Sequence, residues 1–171
     1  VEPSRGLGWS VVLGGWAGGV VPFARRGGGL RGRGGGVLNV VAAPNFTVAV
    51  GVEENGSEQQ KSDLLSRSTK GDWLGCILLT EPHTGSDAAA IRTRANWNGD
   101  HFLLNGDKAF ITAGSTAELA MIVAVTDPNA GKKGITTFIT PTNTPGDKVI
   151  RKETKLGPRT NDTCQVRVEG M

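Results

Sequence analysis

Phe110 and Thr112 stand two residues apart in the strand-like stretch FITAGST, residues 110–116. In an extended chain that spacing puts a flat aromatic face and a hydroxyl on the same side. An aromatic that stacks on a planar ring, with a hydroxyl that bonds its polar edge, would hold a heterocycle such as a flavin. Taken alone, a phenylalanine at such a position is more often a core residue than a stacking face. A second stretch, LLTEPHTGSD from Leu78 to Asp87, has the same build. It ends an apolar run in Thr80 and Glu81, turns at Pro82 and continues through Thr84, Gly85, Ser86 and Asp87. Thr80 can donate to a heteroatom, and Gly85 lets a ligand or another chain come close to the backbone. Ser86 and Asp87 either serve a ligand or hydrogen-bond the amides of their own turn. Glu81 reads as a structural ion pair or turn residue rather than a catalytic acid, because no motif places a second carboxylate or a histidine beside it. His83 and His101 fit no metal spacing and read as surface imidazoles. Cys76 and Cys164 lie in apolar runs and read as core thiols of a reducing compartment.

Both polar stretches close apolar runs, so strands must position them. From residue 73 onward short runs alternate with turns: WLGCILL, IRTRANW, HFLL, KAFIT, LAMIVAVT, ITTFIT, KVIRK and CQVRV. Asn98-Gly99 and Asn105-Gly106 read as hairpin dipeptides, since both residue types accept positive φ; Pro128 to Gly131 and Pro145-Gly146 mark later turns. The spacing predicts a mainly β fold, an antiparallel barrel or sandwich of about 7–8 strands. There is no βαβ rhythm, no GxGxxG and no GxxxxGK[ST] phosphate loop, which argues against a Rossmann or P-loop protein. Upstream, Ser57 with Gln60 three residues on forms a capping box, and Leu64 and Leu65 supply an apolar patch, so a short helix is expected, ended by TKGDW at 69–73.

Composition changes near residue 50. Of 26 glycines, 13 lie between Gly6 and Gly36, and GGGLRGRGGG at 27–36 has no apolar period that could build a core. The chain therefore divides into a Gly/Arg-rich irregular segment (1–51), a helix and linker (52–71) and a β-domain (72–171). The net charge of +3 comes from the first segment, where five arginines face one glutamate; the other residues carry 14 basic and 15 acidic side chains. The β-domain is not a nucleic-acid surface by charge. The apolar run near residues 11–23 is broken by glycines and Pro22, so no membrane segment is expected there.

The two polar stretches, their order and the text between them resemble the middle β-domain of the acyl-CoA dehydrogenase family. LLTEPHTGSDAAAIRTRA is similar to that family's strand, Thr-Glu-Pro and Gly-Ser-Asp signature. NGDKAFITAG is similar to its next block, and GKKGITTFIT and TPGDKVIRKETKLGPRTNDTCQVRVEG continue the likeness to the end. The resemblance covers about residues 56–171, because GSEQQKSDLLSRSTKGDWLG is similar to the last helix of the family's N-terminal helical domain and its lead into the barrel. Leu78, Thr84 and Phe110 depart from the residues most common there, two small residues and a tryptophan.

The resemblance implies FAD as cofactor, held by Leu78, Leu79, Thr80, Gly85, Ser86, Phe110, Ile111 and Thr112. Leu79 and Thr80 would line the flavin's pyrimidine side, with Thr80 donating a hydrogen bond. Gly85 and Ser86 would approach the cofactor phosphates and the acyl-CoA thioester arm, making Ser86 a substrate contact as well. Phe110 would pack on the ring, with Thr112 bonding near the reactive nitrogen. The implied reaction is α,β-desaturation of an acyl-CoA, with electrons passed to an electron-transfer flavoprotein and a tetrameric full-length parent. An oxidase or flavin monooxygenase of the same fold, and a non-catalytic binding module using the Arg/Gly segment, are the alternatives. The family's C-terminal helical domain, which supplies the proton-abstracting carboxylate, has no counterpart in this text. The chain is therefore expected to be a fragment, inactive alone, from a protein of the cytoplasm or mitochondrial matrix.

Overall fold

The computed structural model describes residues 9–11 and 46–171, apart from Pro158. Most of the Gly/Arg-rich stretch, including 27–36, lies outside the described residues. Among the described residues, two helical stretches precede the β-domain. The first, α1, covers 46–55. The second begins as α2 (Glu58–Gln60), passes through a π-helical turn (Lys61–Leu65) and ends as α3 (Ser66–Lys70). Ser57 caps it as the sequence predicts: its hydroxyl accepts from the Gln60 amide at 3.3 Å, and its own amide donates to Gln60 Oε1 at 2.8 Å. Gly71 ends it at φ 80, with the Gly71 and Asp72 amides donating back to Ser68 and Arg67 carbonyls. Because α1 begins by residue 46, helix crosses the expected boundary at residue 51.

Among the described residues, eight strands follow the order β1-β6-β5-β3-β4-β8-β7, with β2 added against β5. They are β1 (Trp9–Val11), β2 (Gly75–Leu78), β3 (Arg94–Trp97), β4 (Phe102–Thr112), β5 (Leu119–Val125), β6 (Ile135–Pro141), β7 (Asp147–Lys152) and β8 (Thr163–Glu169). The mainly β expectation holds, in the form of one curled sheet. The pairing is not wholly antiparallel: β2 runs parallel to β5, and β3 touches β5 in parallel at Arg94 and Val125. The backbone of β1 pairs with β6 inside the segment that composition marks as irregular.

The strand β5 explains why its text is one unbroken apolar run. Ala120, Ile122 and Ala124 face the barrel core with Cys76, Leu78, Ile111, Phe138 and Val166. Leu119 and Met121 face the other way, packing with Val48, Val52 and Leu64 of the helices and Ile139 of β6. A strand buried on both faces has no polar alternation to show. The α1 backbone comes so close that a Cβ at Gly51 would lie 2.6 Å from Met121 Cε. Arg67 covers Trp73 at 4.1 Å from the ring centroid, closing the rim of this second core. Among the described residues, no helix is long and apolar enough to cross a membrane.

Candidate functional site

The site is built on an irregularity in β4. Up to Lys108 the strand alternates regularly, with Leu104 and Lys108 inward and Asn105 and Asp107 outward. Between the pairs Lys108–Val166 and Ile111–Cys164, three steps along β4 oppose two along β8, so one extra residue is inserted. The pleat shifts by one: Ala109, Ile111 and Ala113 now face the core, and Phe110 and Thr112 face outward. Without that insertion both would point inward. Phe110 takes φ 59, a left-handed conformation costly for an aromatic residue, and its ring is 66% exposed.

The end of β2 lies against this bulge. The Ala109 amide donates to the Thr80 carbonyl at 2.8 Å, which sets Thr80 beside the residue preceding Phe110. Beyond Thr80 the chain folds into a closed turn, with Glu81 and Thr84 exchanging backbone hydrogen bonds at 2.9 and 3.1 Å. The Thr84 hydroxyl donates to the Asp87 carbonyl at 2.7 Å, and the Asp87 carboxylate accepts from the Ala89 amide at 3.2 Å. Asp87 therefore serves its own turn. Gly85 comes back toward Thr80, where an added Cβ would sit 3.7 Å from Thr80 Cγ2. Among the described residues, the hydroxyls of Thr80, Ser86 and Thr112 have no protein partner.

The structure thus brings Leu79, Thr80, Gly85 and Phe110 together, with Thr112 two residues further along the same face of β4 and Ser86 exposed beside Gly85. Two of the eight expected residues need correction as side-chain contacts. Leu78 is 1% exposed and Ile111 is 2% exposed; both sit in the barrel core, so only their backbones remain for a ligand. In Ile111 the cause is the bulge parity, and in Leu78 it is the pleat of β2, which pairs with buried β5. Asn105-Gly106 is not a hairpin either. It lies inside the single strand β4, which merges HFLL and KAFIT.

Residues 76–171 match the family profile "Acyl-CoA dehydrogenase, middle domain". The chain belongs to the acyl-CoA dehydrogenase family. A protein named acyl-CoA dehydrogenase from Bacillus subtilis is 44% identical over 111 residues, covering 65% of this chain and 29% of the relative. The structure of butyryl-CoA dehydrogenase from Megasphaera elsdenii superposes with TM-score 0.77 at 36% identity, over 80% of this chain and 36% of that one. A glutaryl-CoA dehydrogenase from Mycobacterium smegmatis, in complex with FADH2, superposes with TM-score 0.66 at 38% identity, over 72% and 31%. The chain spans about a third of the length of such relatives.

For an acyl-CoA dehydrogenase middle domain, the residues present suit a flavin. An open aromatic face and two unpartnered threonine hydroxyls lie where the end of β2 meets the bulge of β4, and Gly85 adds no side-chain bulk there. Two groups that sequence reasoning assigned no site role hold this arrangement in place. Lys108, 1% exposed, donates to Leu79 O, Val123 O and Glu81 Oε1. Asp162 holds the loop after β4, accepting from the Ser115 amide at 2.7 Å, the Thr116 hydroxyl at 3.3 Å and the Cys164 thiol at 3.2 Å. Burial pushes the Asp162 carboxyl up, but the hydrogen bonds from Ser115 and Cys164 outweigh it and hold it below its ordinary value. Neither residue gave a textual signal, since the inward position of Lys108 depends on contacts with β2 and β5. Burial pushes the thiols of Cys76 and Cys164 up to about 12 and about 11, as inert core residues require. A cleft of about 680 Å³ opens beyond Asp162, lined by Thr116, Lys152, Lys155, Arg159 and Asn161 among others, and by none of the eight expected site residues.

Proposed function

We propose that this chain forms the flavin-facing β-domain of an acyl-CoA dehydrogenase that converts an acyl-CoA to its α,β-unsaturated thioester. The bulge in β4 carries the reading: it spends backbone strain to expose Phe110 and Thr112 beside Thr80. Strained residues persist where the surroundings over-determine them, and they cluster at functional sites. FAD, when bound, supplies the acceptor for hydride from the substrate's β-carbon.

Everything else follows from the chain's own groups. Phe110 offers a planar face for stacking, and the Thr80 and Thr112 hydroxyls supply hydrogen-bond donors for a ring edge where negative charge accumulates. Preorganised donors of that kind stabilise developing charge without rearranging during the reaction. Ser86, exposed and unpartnered, supplies a donor to an anionic group near Gly85, where backbone can approach closely. The α-proton is removed by a carboxylate outside these 171 residues. Acyl-CoA is the substrate, an electron-transfer flavoprotein takes the electrons, and the full-length protein is a homotetramer of the cytoplasm or mitochondrial matrix.

The test is anaerobic titration of the flavin-loaded, full-length protein with acyl-CoAs. Bleaching of the flavin's visible band supports the reading, and a protein that takes up no flavin refutes it. The variant Phe110→Ala sharpens the test. Because the ring is 66% exposed, its removal changes stability by no more than about 0.5 kcal/mol. Loss of stacking lowers flavin affinity by about tenfold or more. Unchanged flavin affinity in this variant would place the ring away from the cofactor.

A further inference from the structure

The Glu81–Lys108 pair is an ion pair without access to water: the side chains are 2% and 0% exposed, with Lys108 Nζ 3.0 Å from Glu81 Oε1. All three ammonium protons find acceptors, since Nζ also donates to Leu79 O at 3.1 Å and Val123 O at 2.8 Å. On the carboxylate, Oε1 also accepts from the Thr93 amide at 2.9 Å and the Thr93 hydroxyl at 2.6 Å. Oε2 accepts from the Arg92 amide at 2.6 Å, and His83 Nε2 stands 3.8 Å away. One lysine of β4 thereby ties together the end of β2, the middle of β5 and the loop before β3.

Stability does not account for such a pair. Desolvating two charges costs about what their attraction returns, and apolar residues of similar volume commonly do as well or better. What apolar residues would not reproduce is direction. Lys108 grips Leu79 and Glu81, the two residues on either side of Thr80, while the next residue of β4, Ala109, holds the Thr80 carbonyl. The residue after that is Phe110. Three consecutive residues are thus fixed against the start of the bulge, and the loop is fixed behind them through Thr93 and Arg92.

We infer that Lys108 and Glu81 are positioning residues that set the separation of Thr80 from Phe110, and with it the width of the flavin site. The inference rests on the flavin reading above, while its geometry stands without a cofactor. The decisive variants in the full-length protein are Lys108→Met alone and Lys108→Met with Glu81→Met. The single variant strands a buried carboxylate and loses stability. The double variant buries no charge and regains part of the lost stability with cooperative unfolding, still short of the parent because the Arg92 and Thr93 amides and the Leu79 and Val123 carbonyls lose their side-chain partners.

If the pair positions the site, regained stability does not restore it. In the double variant, amide exchange in the peptide containing Ala109 stays about tenfold or more faster than in the parent, while β5 and β6 keep their protection. Flavin affinity stays about tenfold or more weaker, since small misplacements of binding groups are costly. A double variant that recovers parental exchange at Ala109 and parental flavin affinity overturns the inference and leaves the pair a stability element only. If the parent itself takes up no flavin, the functional reading fails on that result, and exchange at Ala109 alone decides whether the clamp exists.

Discussion

A single carboxylate shows how local burial becomes a property of the whole chain. Asp147 opens β7, half-buried, and forms no ion pair among the described residues. Burial pushes its carboxyl up to about 6 from an ordinary 3.8. Between those two values the folded chain keeps a proton that the unfolded chain has released, so stability falls as pH rises through the window. Above it, the buried charge is a standing cost. Asp147→Asn removes that cost: urea midpoints of variant and parent should coincide near about pH 3.5 and separate in the variant's favour by about pH 7.5. Equal midpoints at both pH values would show that Asp147 is solvated in the fold. Glu81 behaves oppositely. Burial pushes its carboxyl up, yet the hydrogen bonds from Thr93, Arg92 and Lys108 more than offset this and hold it below its ordinary range. Its contribution is therefore present above the unfolded value and is lost as pH falls through the lower, folded one. Lys108 is held below its ordinary value by burial, against the opposing pull of Glu81.

At the scale of elements, β4 decides both the fold and the site. The dipeptide Asn105-Gly106 carries the local signature of a turn, but tertiary contact overrides it: a Cβ at Gly106 would lie 2.3 Å from Thr93 Oγ1 and 2.8 Å from Thr93 Cα. Glycine is there because Thr93, the residue leading into β3, packs against β4 at that point, not because the chain reverses. Gly106→Ala should therefore cost about 2 kcal/mol or more by overpacking. The same change at Gly157, where an added Cβ meets nothing within 4 Å, should stay within about 0.5 kcal/mol. Chemical denaturation of the two variants side by side checks this, and similar losses would remove the steric explanation. The contrast marks what was legible in the sequence. Ser57 with Gln60, Gly71, Asn98-Gly99 and the polar ends of β2 and β4 were readable because their causes are local. The bulge, the inward lysine and the parallel pairing of β2 with β5 were not, since each depends on residues more than 20 positions away. The same holds for Leu78 and Ile111, whose neighbours face a ligand while they face the core.

Across the whole molecule, the sheet is well covered on one side and open on another. The helices seal Leu119, Met121 and Ile139 beneath a second apolar core. At the far end of the strand order, β7 pairs only with β8 among the described strands, and its free edge carries Val149 and Ile150 at 43% and 49% exposed. Leu156, just beyond, is fully exposed at 103%. An edge strand with apolar side chains is a template for pairing with another chain unless something covers it. Charges flank it, with Lys148 bonded to Glu169 and Arg151 to Glu153, which limits but does not remove that tendency. The 171-residue chain on its own should therefore self-associate in a concentration-dependent way, and Ile150→Lys should shift it toward the monomer without lowering its unfolding free energy by more than about 0.5 kcal/mol, because the replaced side chain is half exposed. Sedimentation of parent and variant at several concentrations reads the outcome directly. Identical association in the two would place the contact away from β7, and the exposed aromatic face around Phe110 would then be the surface to alter next.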